Sequence, residues 1–353
     1  MRPSHALLFL VVAAALTPLA LHSLLAKRQG DRTEKIEQPH IGRVAEEHSD
    51  RNDSDNKDHN EQSERLEMAT MSDICVLSLG TWKTPNPSAS LDLDANPSGE
   101  DARAAAYGIL GPAARDNKRD YCSIHGCRML FFDGSLDEER PVAWSKIVGI
   151  TWLLWGDNVM REPSISVNFN PSTDVGSACD WVFWMDTDAM FSSAKILLAD
   201  KLNEARIKYY AEHSHDPDVI IPTKRLDGEG FRGDLESTEG MDAAIRGMNL
   251  GTFFVKKTAW ARSFMAQIYG NTRFLNHPQW EQQSAQDLLQ HRFSMDTVKQ
   301  HAQFVLSRRF NSINAEWQVG DFVYHMPSCA CCYPLRTCLS QQNTALTAYN
   351  NSL

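Results

Sequence analysis

Five bulky apolar residues, Trp181 to Met185, give way at once to two carboxylates, Asp186 and Asp188, in the stretch WVFWMDTDAMF. A segment apolar on every residue is buried on both faces, as strands inside a layered α/β sheet are. Acid at the carboxyl end of such a strand falls where open α/β sheets receive ligands. The strand period of two places both carboxylates on one side and Thr187 on the other. Two carboxylates that close resist joint ionisation, so a divalent cation is the expected occupant.

The flanking sequence repeats the pattern. ICVLSLG from Ile74, CRMLFFDG (Cys127 to Gly134) and DVIIPTK (Asp218 to Lys224) read as strands. Helices are expected from about Asp101, over Arg140 to Gly156 with Pro141 in the first turn, from about Ser193 to His213, and over Gln279 to Phe293. Asn249 to Gly270 reads as a strand running into a helix, and FVLSRRF and VGDFVYHM as closing strands. Strands alternating with helices call for an α/β fold with a largely parallel sheet over residues 73–328, followed by a Cys-rich tail, 329–353.

The N-terminus differs. Leu7 to Ala26 is free of Asp, Glu, Lys and Arg, and as a helix it matches a bilayer core, so residues 1–26 are expected to be a cytoplasmic tip and signal anchor. A cleaved signal peptide is the rival, but its apolar region is usually shorter. Residues 27–72, typified by EEHSDRNDSDNKDHNEQSERLE, bury too little apolar surface to order themselves and read as a flexible stem. A formal charge of −10 argues against nucleic acid as a partner.

Three chemistries use Asp-x-Asp after a strand. A calcium loop needs a ligand at its fifth position, where Met190 stands. A phosphoaspartyl hydrolase would use the first Asp as nucleophile and usually carries Thr where Met190 is. The third is glycosyl transfer, with a metal neutralising charge on a departing nucleoside diphosphate. Against all three, an isolated pair of acids often only caps a helix or pairs with Lys or Arg.

The company the motif keeps favours the third. DWVFWMDTDAMF, with YCSIHGC (Tyr121 to Cys127), RPVAWSKI (Arg140 to Ile147), NLGTFFVKKTAWARSF (Asn249 to Phe264), WEQQSA (Trp280 to Ala285) and EWQVGDFVYH (Glu316 to His325), resembles glycosyltransferase family 34, the galactosyl, xylosyl and mannosyl transferases of fungi and plants. The resemblance spans Ile74 to His325. It implies the GT-A fold, a Rossmann-like nucleotide-sugar transferase domain with a central mixed sheet, and Asp186, Asp188 and His325 as metal ligands. Two carboxylates and an imidazole suit Mn²⁺, with Mg²⁺ second. It also implies that Gly80 and Thr81 receive base and ribose, although a bare turn explains them nearly as well. Asn249 and Gly251 would line the sugar pocket, Lys146 would meet phosphate or else lie solvated on its helix, and Trp144, His125 and Gly126 match without an assigned role. Glu281, Gln282 and Gln283 would sit beneath the sugar and stabilise positive charge.

The implied activity is transfer, with retention, of a hexose or pentose from a UDP- or GDP-linked sugar to a glycan acceptor. The implied setting is a type II Golgi membrane protein, alone or in complexes. The chain departs from the family after His325, where MPSCACCYPLRTC replaces the usual Phe-Ala-Gly. That loop leaves a second reading open, a non-catalytic subunit binding glycan or nucleotide sugar. Eight cysteines, four of them crowded between Cys329 and Cys338 and two, Cys122 and Cys127, near enough for a local bridge, suit an oxidising lumen. A zinc site in the tail is the rival. Asn52 and Asn350 stand in N-x-S acceptor sites.

Overall fold

The computed structural model of the chain describes residues 66–81, 92–96, 100–156, 165–167, 179–224, 235, 237–313, 316–330 and 332–353. The expected anchor and the stem up to residue 65 lie outside the described residues, and among those described no helix is long and apolar enough to cross a membrane. The last stem residues belong to the folded unit: Asn203 binds both the amide and the carbonyl of Ala69, at 2.9 and 2.8 Å.

The first half of the chain runs β1 (Ile74–Thr81), α1 (Glu100–His125), β2 (Arg128–Asp133), α2 (Ser145–Trp155), β3 (Ile165–Val167), β4 (Trp181–Met185), β5 (Ala189–Phe191) and α3 (Leu198–His213). The second half runs β6 (Val219–Thr223), α4 (Thr238–Gly247), β7 (Thr252–Lys256), α5 (Ala259–Gly270), α6 (Trp280–His291), α7 (Met295–His301), β8 (Ala302–Leu306), α8 (Ser307–Phe310), β9 (Ser312–Ile313), β10 (Val323–His325) and α9 (Leu335–Ser352). The main sheet is seven-stranded in the order β3-β2-β1-β4-β7-β6-β8, and β5-β10-β9 form a small second sheet.

The sheet is mixed, which corrects the mostly parallel expectation. β1 pairs in parallel with β2 and β4, and β6 with β8, but β3 and β7 run against their neighbours. Strand direction depends on where a connection re-enters the sheet, and a pattern of apolar runs carries no such information. The reversal of β7 matters for function, because it lays the residues that precede it beside the end of β4: Met185 is opposite Thr252, and the Asp186 amide donates to the Gly251 carbonyl at 2.7 Å.

Both faces of the sheet are covered. On β4, Val182 and Trp184 face the core under α2, α5 and α6, whereas Trp181, Phe183 and Met185 face the core under α1 and α3. Burial of this kind contributes roughly 1.5–3 kcal/mol per large apolar side chain. Disulfides join Cys75 to Cys179, Cys122 to Cys127 and Cys329 to Cys338.

Other expectations shift. α3 starts at Leu198 and not near Ser193, because tertiary partners take the backbone that a longer helix would use. Ser352 Oγ accepts from the Ala194 amide, His125 Nε2 meets the Ala194 carbonyl, and the Tyr121 hydroxyl donates to Ile196 O and accepts from the Leu198 amide. His125 and Gly126 thereby gain a structural role, since Gly126 ends α1 at φ 77°. FVLSRRF is a strand only to Leu306, and its SRRF portion is the short α8. The expected Cys-rich tail holds α9, an 18-residue helix whose Leu335, Cys338, Gln342, Ala345 and Tyr349 are buried. Gln342 binds the Leu110 carbonyl of α1 at 2.8 Å, and the Tyr349 hydroxyl donates to Asp120 at 3.0 Å.

Candidate active site

Asp186 and Asp188 do not continue β4. They form a turn closed by the Ala189 amide donating to Asp186 O at 3.0 Å, so their convergence comes from the turn and not from strand period. His325 ends β10, which pairs with β5 directly after that turn, His325 standing opposite Ala189. Ligand atoms of Asp186, Asp188 and His325 all lie within 4.8 Å of one another. His325 Nε2 is 3.3 Å from Asp188 Oδ1 and 3.8 Å from Asp186 Oδ2.

The donor set fits a divalent cation. His325 and Asp188 are buried, yet neither ring nitrogen of His325 nor Asp188 Oδ2 makes a hydrogen bond. Unpaired buried polar atoms are costly and rare unless a ligand satisfies them. Burial alone would push the Asp188 carboxyl up, but the neighbouring His325, together with Lys118, holds it below the ordinary carboxylate range. Gly251 makes the approach of His325 feasible: a Cβ there would sit 2.0 Å from His325 Cε1.

A second layer fixes the acids. Trp184 Nε1 donates to Asp186 Oδ1 at 2.7 Å. Lys146 Nζ reaches Asp186 Oδ1 at 3.0 Å, Glu281 Oε1 at 2.8 Å and the Leu250 carbonyl at 2.9 Å. Its three N–H donors are thereby spent inside the protein. Lys146 is therefore a buried counter-ion in this structure, neither the solvated lysine nor the phosphate contact expected of it. Burial disfavours its charge, but the two carboxylates outweigh that and raise its pKa. The Glu281 carboxyl is pushed up by burial against the pull of Lys146, and its Oε2 is unbonded.

These residues line one cavity of about 290 Å³, with Lys146, Asp186, Asp188, Asn249, Gly251, Glu281, Gln282 and His325 in its wall. Gln282 Oε1 accepts from the Leu250 amide at 3.0 Å, and Asn249 Oδ1 accepts from the Gly251 amide and from Asn311 Nδ2, both at 2.8 Å. Gln282 and Asn249 thus shape the approach to β7. Gly80 and Thr81 end β1 just past Leu79, which lines the cavity, whereas Gln283 is outside its described wall. Trp144 is wholly buried in the core. After His325, the Met326 amide donates to Asp188 O at 3.1 Å, Pro327 lines the cavity, and the Cys329–Cys338 bridge ties the loop to α9.

Three further contributors have no role assigned in the sequence analysis. Trp184 reads only as core, Trp280 lines the cavity from a left-handed backbone position at φ 38°, and Lys118 of α1 is buried beneath the Asp186–Asp188 turn. Burial pulls the Lys118 ammonium down to about 7 against the opposing charges of Asp188 and Asp186.

The galactosyl transferase GMA12/MNN10 family matches residues 178–336, a stretch that holds both acids, Asn249, Gly251, the Glu281 helix and His325. Xyloglucan 6-xylosyltransferase 4 of Arabidopsis thaliana is 29% identical over 112 residues, 31% of this chain and 17% of that protein. Probable xyloglucan 6-xylosyltransferase 3 of the same plant is 29% identical over 112 residues, 31% of this chain and 19% of that protein. The match thus spans less than a fifth of the length of these curated relatives. A crystal structure of a glycosyltransferase involved in the glycosylation of the major capsid of PBCV-1 is similar at a TM-score of 0.44 and 14% identity, covering 76% of this chain and 98% of that one. Residues 178–336, a little under half of the chain, are thus similar to the galactosyl transferase GMA12/MNN10 family.

Proposed function

We propose that this protein transfers a hexose or pentose, with retention, from a UDP- or GDP-linked sugar to a glycan hydroxyl, using Mn²⁺ or Mg²⁺ held by Asp186, Asp188 and His325. The observation that carries the reading is the convergence of these three side chains, with buried and unbonded ligand atoms, on the wall of a single cavity. A bound divalent cation supplies Lewis-acid neutralisation of the charge on the departing diphosphate.

The chain's own residues then position and stabilise. Lys146 balances the charge of Asp186 and fixes its aim through the 3.0 Å contact. Asn249 and Gly251 form the sugar side of the cavity, Asn249 clamping the Gly251 amide at 2.8 Å. Glu281, on the cavity wall with one oxygen unbonded, offers negative charge to a sugar that becomes cationic at its anomeric carbon. Positioning of this kind can supply up to about 7–11 kcal/mol of a barrier, so a front-face transfer needs no strong general base. The names of the plant relatives speak for a pentose and the family description for a hexose. In the same reading residues 7–26 anchor the protein as a type II protein of the Golgi membrane, which imaging of a tagged full chain beside a Leu7–Ala26 deletion would test.

The testing experiment is hydrolysis of a panel of nucleotide sugars by the purified protein with Mn²⁺ and then with EDTA, beside Asp188→Ala. Metal-dependent release of nucleoside diphosphate from one donor, lost in the variant, is the expected result. Silence across the panel, with no metal-dependent donor binding by calorimetry, would sink it in favour of a non-catalytic subunit.

A further inference from the structure

A buried lysine lies under the metal turn and takes no part in the chemistry proposed above. Lys118 is 1% exposed, and its ammonium donates to Ser78 Oγ of β1 at 2.9 Å, to the Asp186 carbonyl at 2.7 Å and, more weakly, to the Thr187 carbonyl at 3.4 Å. Its hydrogen bonds therefore go to a hydroxyl and two peptide carbonyls, and not to a carboxylate. An ammonium buried on peptide oxygens is an expensive choice for a fold, because a charge out of water costs several kcal/mol unless its surroundings compensate. Apolar residues fill most of such helix positions.

Around Lys118 the whole helix is adapted to that turn. Asn117, the preceding residue, binds β5 as a strand neighbour would, accepting from the Phe191 amide at 2.7 Å and donating to the Phe191 carbonyl at 3.0 Å. Gly111, two turns earlier, lets α1 come close, since a Cβ there would be 3.2 Å from Thr187 Cγ2. Gly111, Asn117 and Lys118 together hold the segment from Asp186 to Phe191 along its length. The direction of a Cα–Cβ bond follows from the peptide planes on either side of it, and Lys118 holds the planes that follow Asp186 and Thr187.

We propose that Lys118 is a positioning residue for the metal site: by binding the Asp186 and Thr187 carbonyls from behind, it fixes the turn so that the Asp186 and Asp188 carboxylates converge on His325 before any cation arrives. The proposal rests on the metal reading above and assigns Lys118 no contact with substrate. Its effect has a sign that separates it from a purely electrostatic role. A buried positive charge near a cation site repels the cation, so if charge were all that mattered, neutralising Lys118 would tighten metal binding. If positioning dominates, neutralising it weakens binding.

The test is titration of the full chain with Mn²⁺, followed by electron paramagnetic resonance of the free ion and by calorimetry, well below the thermal transition of each variant. Lys118→Met is expected to raise the Mn²⁺ dissociation constant by about 10–100-fold, the range found when partners that orient metal ligands are removed. Lys118→Gln, which keeps an N–H donor without the charge, is expected to recover part of that loss. Ser78→Ala, which removes one neutral partner of the ammonium, is expected to weaken binding in the same direction by less, and it decides the matter if Lys118→Met fails to fold. Unchanged or tighter binding in these variants beside an unaltered protein that does bind Mn²⁺ overturns the positioning role alone. An unaltered protein that binds no Mn²⁺ removes the metal reading and this proposal with it.

Discussion

Gly251→Ala is the smallest change that tests the candidate metal centre. Gly251 does not need the left-handed region, so its requirement is one of space: an added Cβ would lie 2.0 Å from Cε1, 2.6 Å from Nδ1 and 2.7 Å from Nε2 of His325. Ordinary contact begins at 3.4 Å, so the ring must retreat by about 1.4 Å. The backbone of His325 cannot follow easily, being paired to Ala189 on one side and Ile313 on the other. Overpacking of this kind costs about 1–3 kcal/mol, which for a domain of this size lowers Tm by roughly 2–10 °C. The functional loss is larger in proportion. Metal–ligand distances tolerate only about 0.2 Å, so a displaced imidazole is lost as a ligand, and affinity should fall by more than the 10–100-fold typical of outer partners. Differential scanning fluorimetry with and without Mn²⁺, beside calorimetric titration, reads both effects. A Gly251→Ala protein that binds Mn²⁺ as tightly as the unaltered chain would refute the placement of His325 in the metal centre.

Asp188→Asn keeps the shape of a buried side chain and removes its charge; the rise in Tm on adding Mn²⁺ to the unaltered protein is expected to vanish, as thermal melts at fixed metal concentration would register. Lys146→Met leaves Asp186 and Glu281 without their shared cation and should cost about 3–5 kcal/mol by urea denaturation, more than Glu281→Gln, after which Lys146 still holds Asp186. Equal losses would mean that Lys146 does not bridge the two acids. The double change Cys329→Ser with Cys338→Ser opens a short loop whose closure is worth about 2–3 kcal/mol, and it should weaken Mn²⁺ binding as well, because Met326, three residues before the bridge, holds the Asp188 carbonyl through its amide. Loss of stability with unchanged metal affinity would separate the loop from the site.

The parts of this site that could be read from the chain are those whose neighbours in sequence are also their neighbours in space. WVFWM followed by DTD marks a buried strand ending in acid, so the acids are legible, whereas His325 is read as a ligand only through the resemblance that EWQVGDFVYH carries. The supporting residues are not. Lys118 sits in NKRDYC among charged residues that look like a solvated helix face, and only α1 packing across the end of β1 buries it. Lys146 reads as free to meet phosphate because Glu281, its nearest carboxylate partner, lies far along the chain. α9 is hidden in the sequence for another reason. Its buried positions are spaced as a helix requires, but Cys338, Gln342 and Ala345 fill three of them, and such residues give little apolar contrast.

The docking of α9 also bears on when the site comes into being during synthesis. Chains fold from the N-terminus as they emerge, at about 5–20 residues per second. α1 and β4 are made early and can pair with β1 and β2 while the rest of the chain is still to come. Tyr324 of β10, next to His325, donates from its hydroxyl to Gln341 of α9 at 2.8 Å, and α9 also grips α1 through Leu110 and Asp120. The clasp that joins the helix of Lys118 to the strand of His325 is therefore translated after everything it joins. A nascent chain halted before α9 would carry both acids and the histidine without that clasp, so on the proposed metal reading a cation is expected to be held firmly only late in the life of the chain.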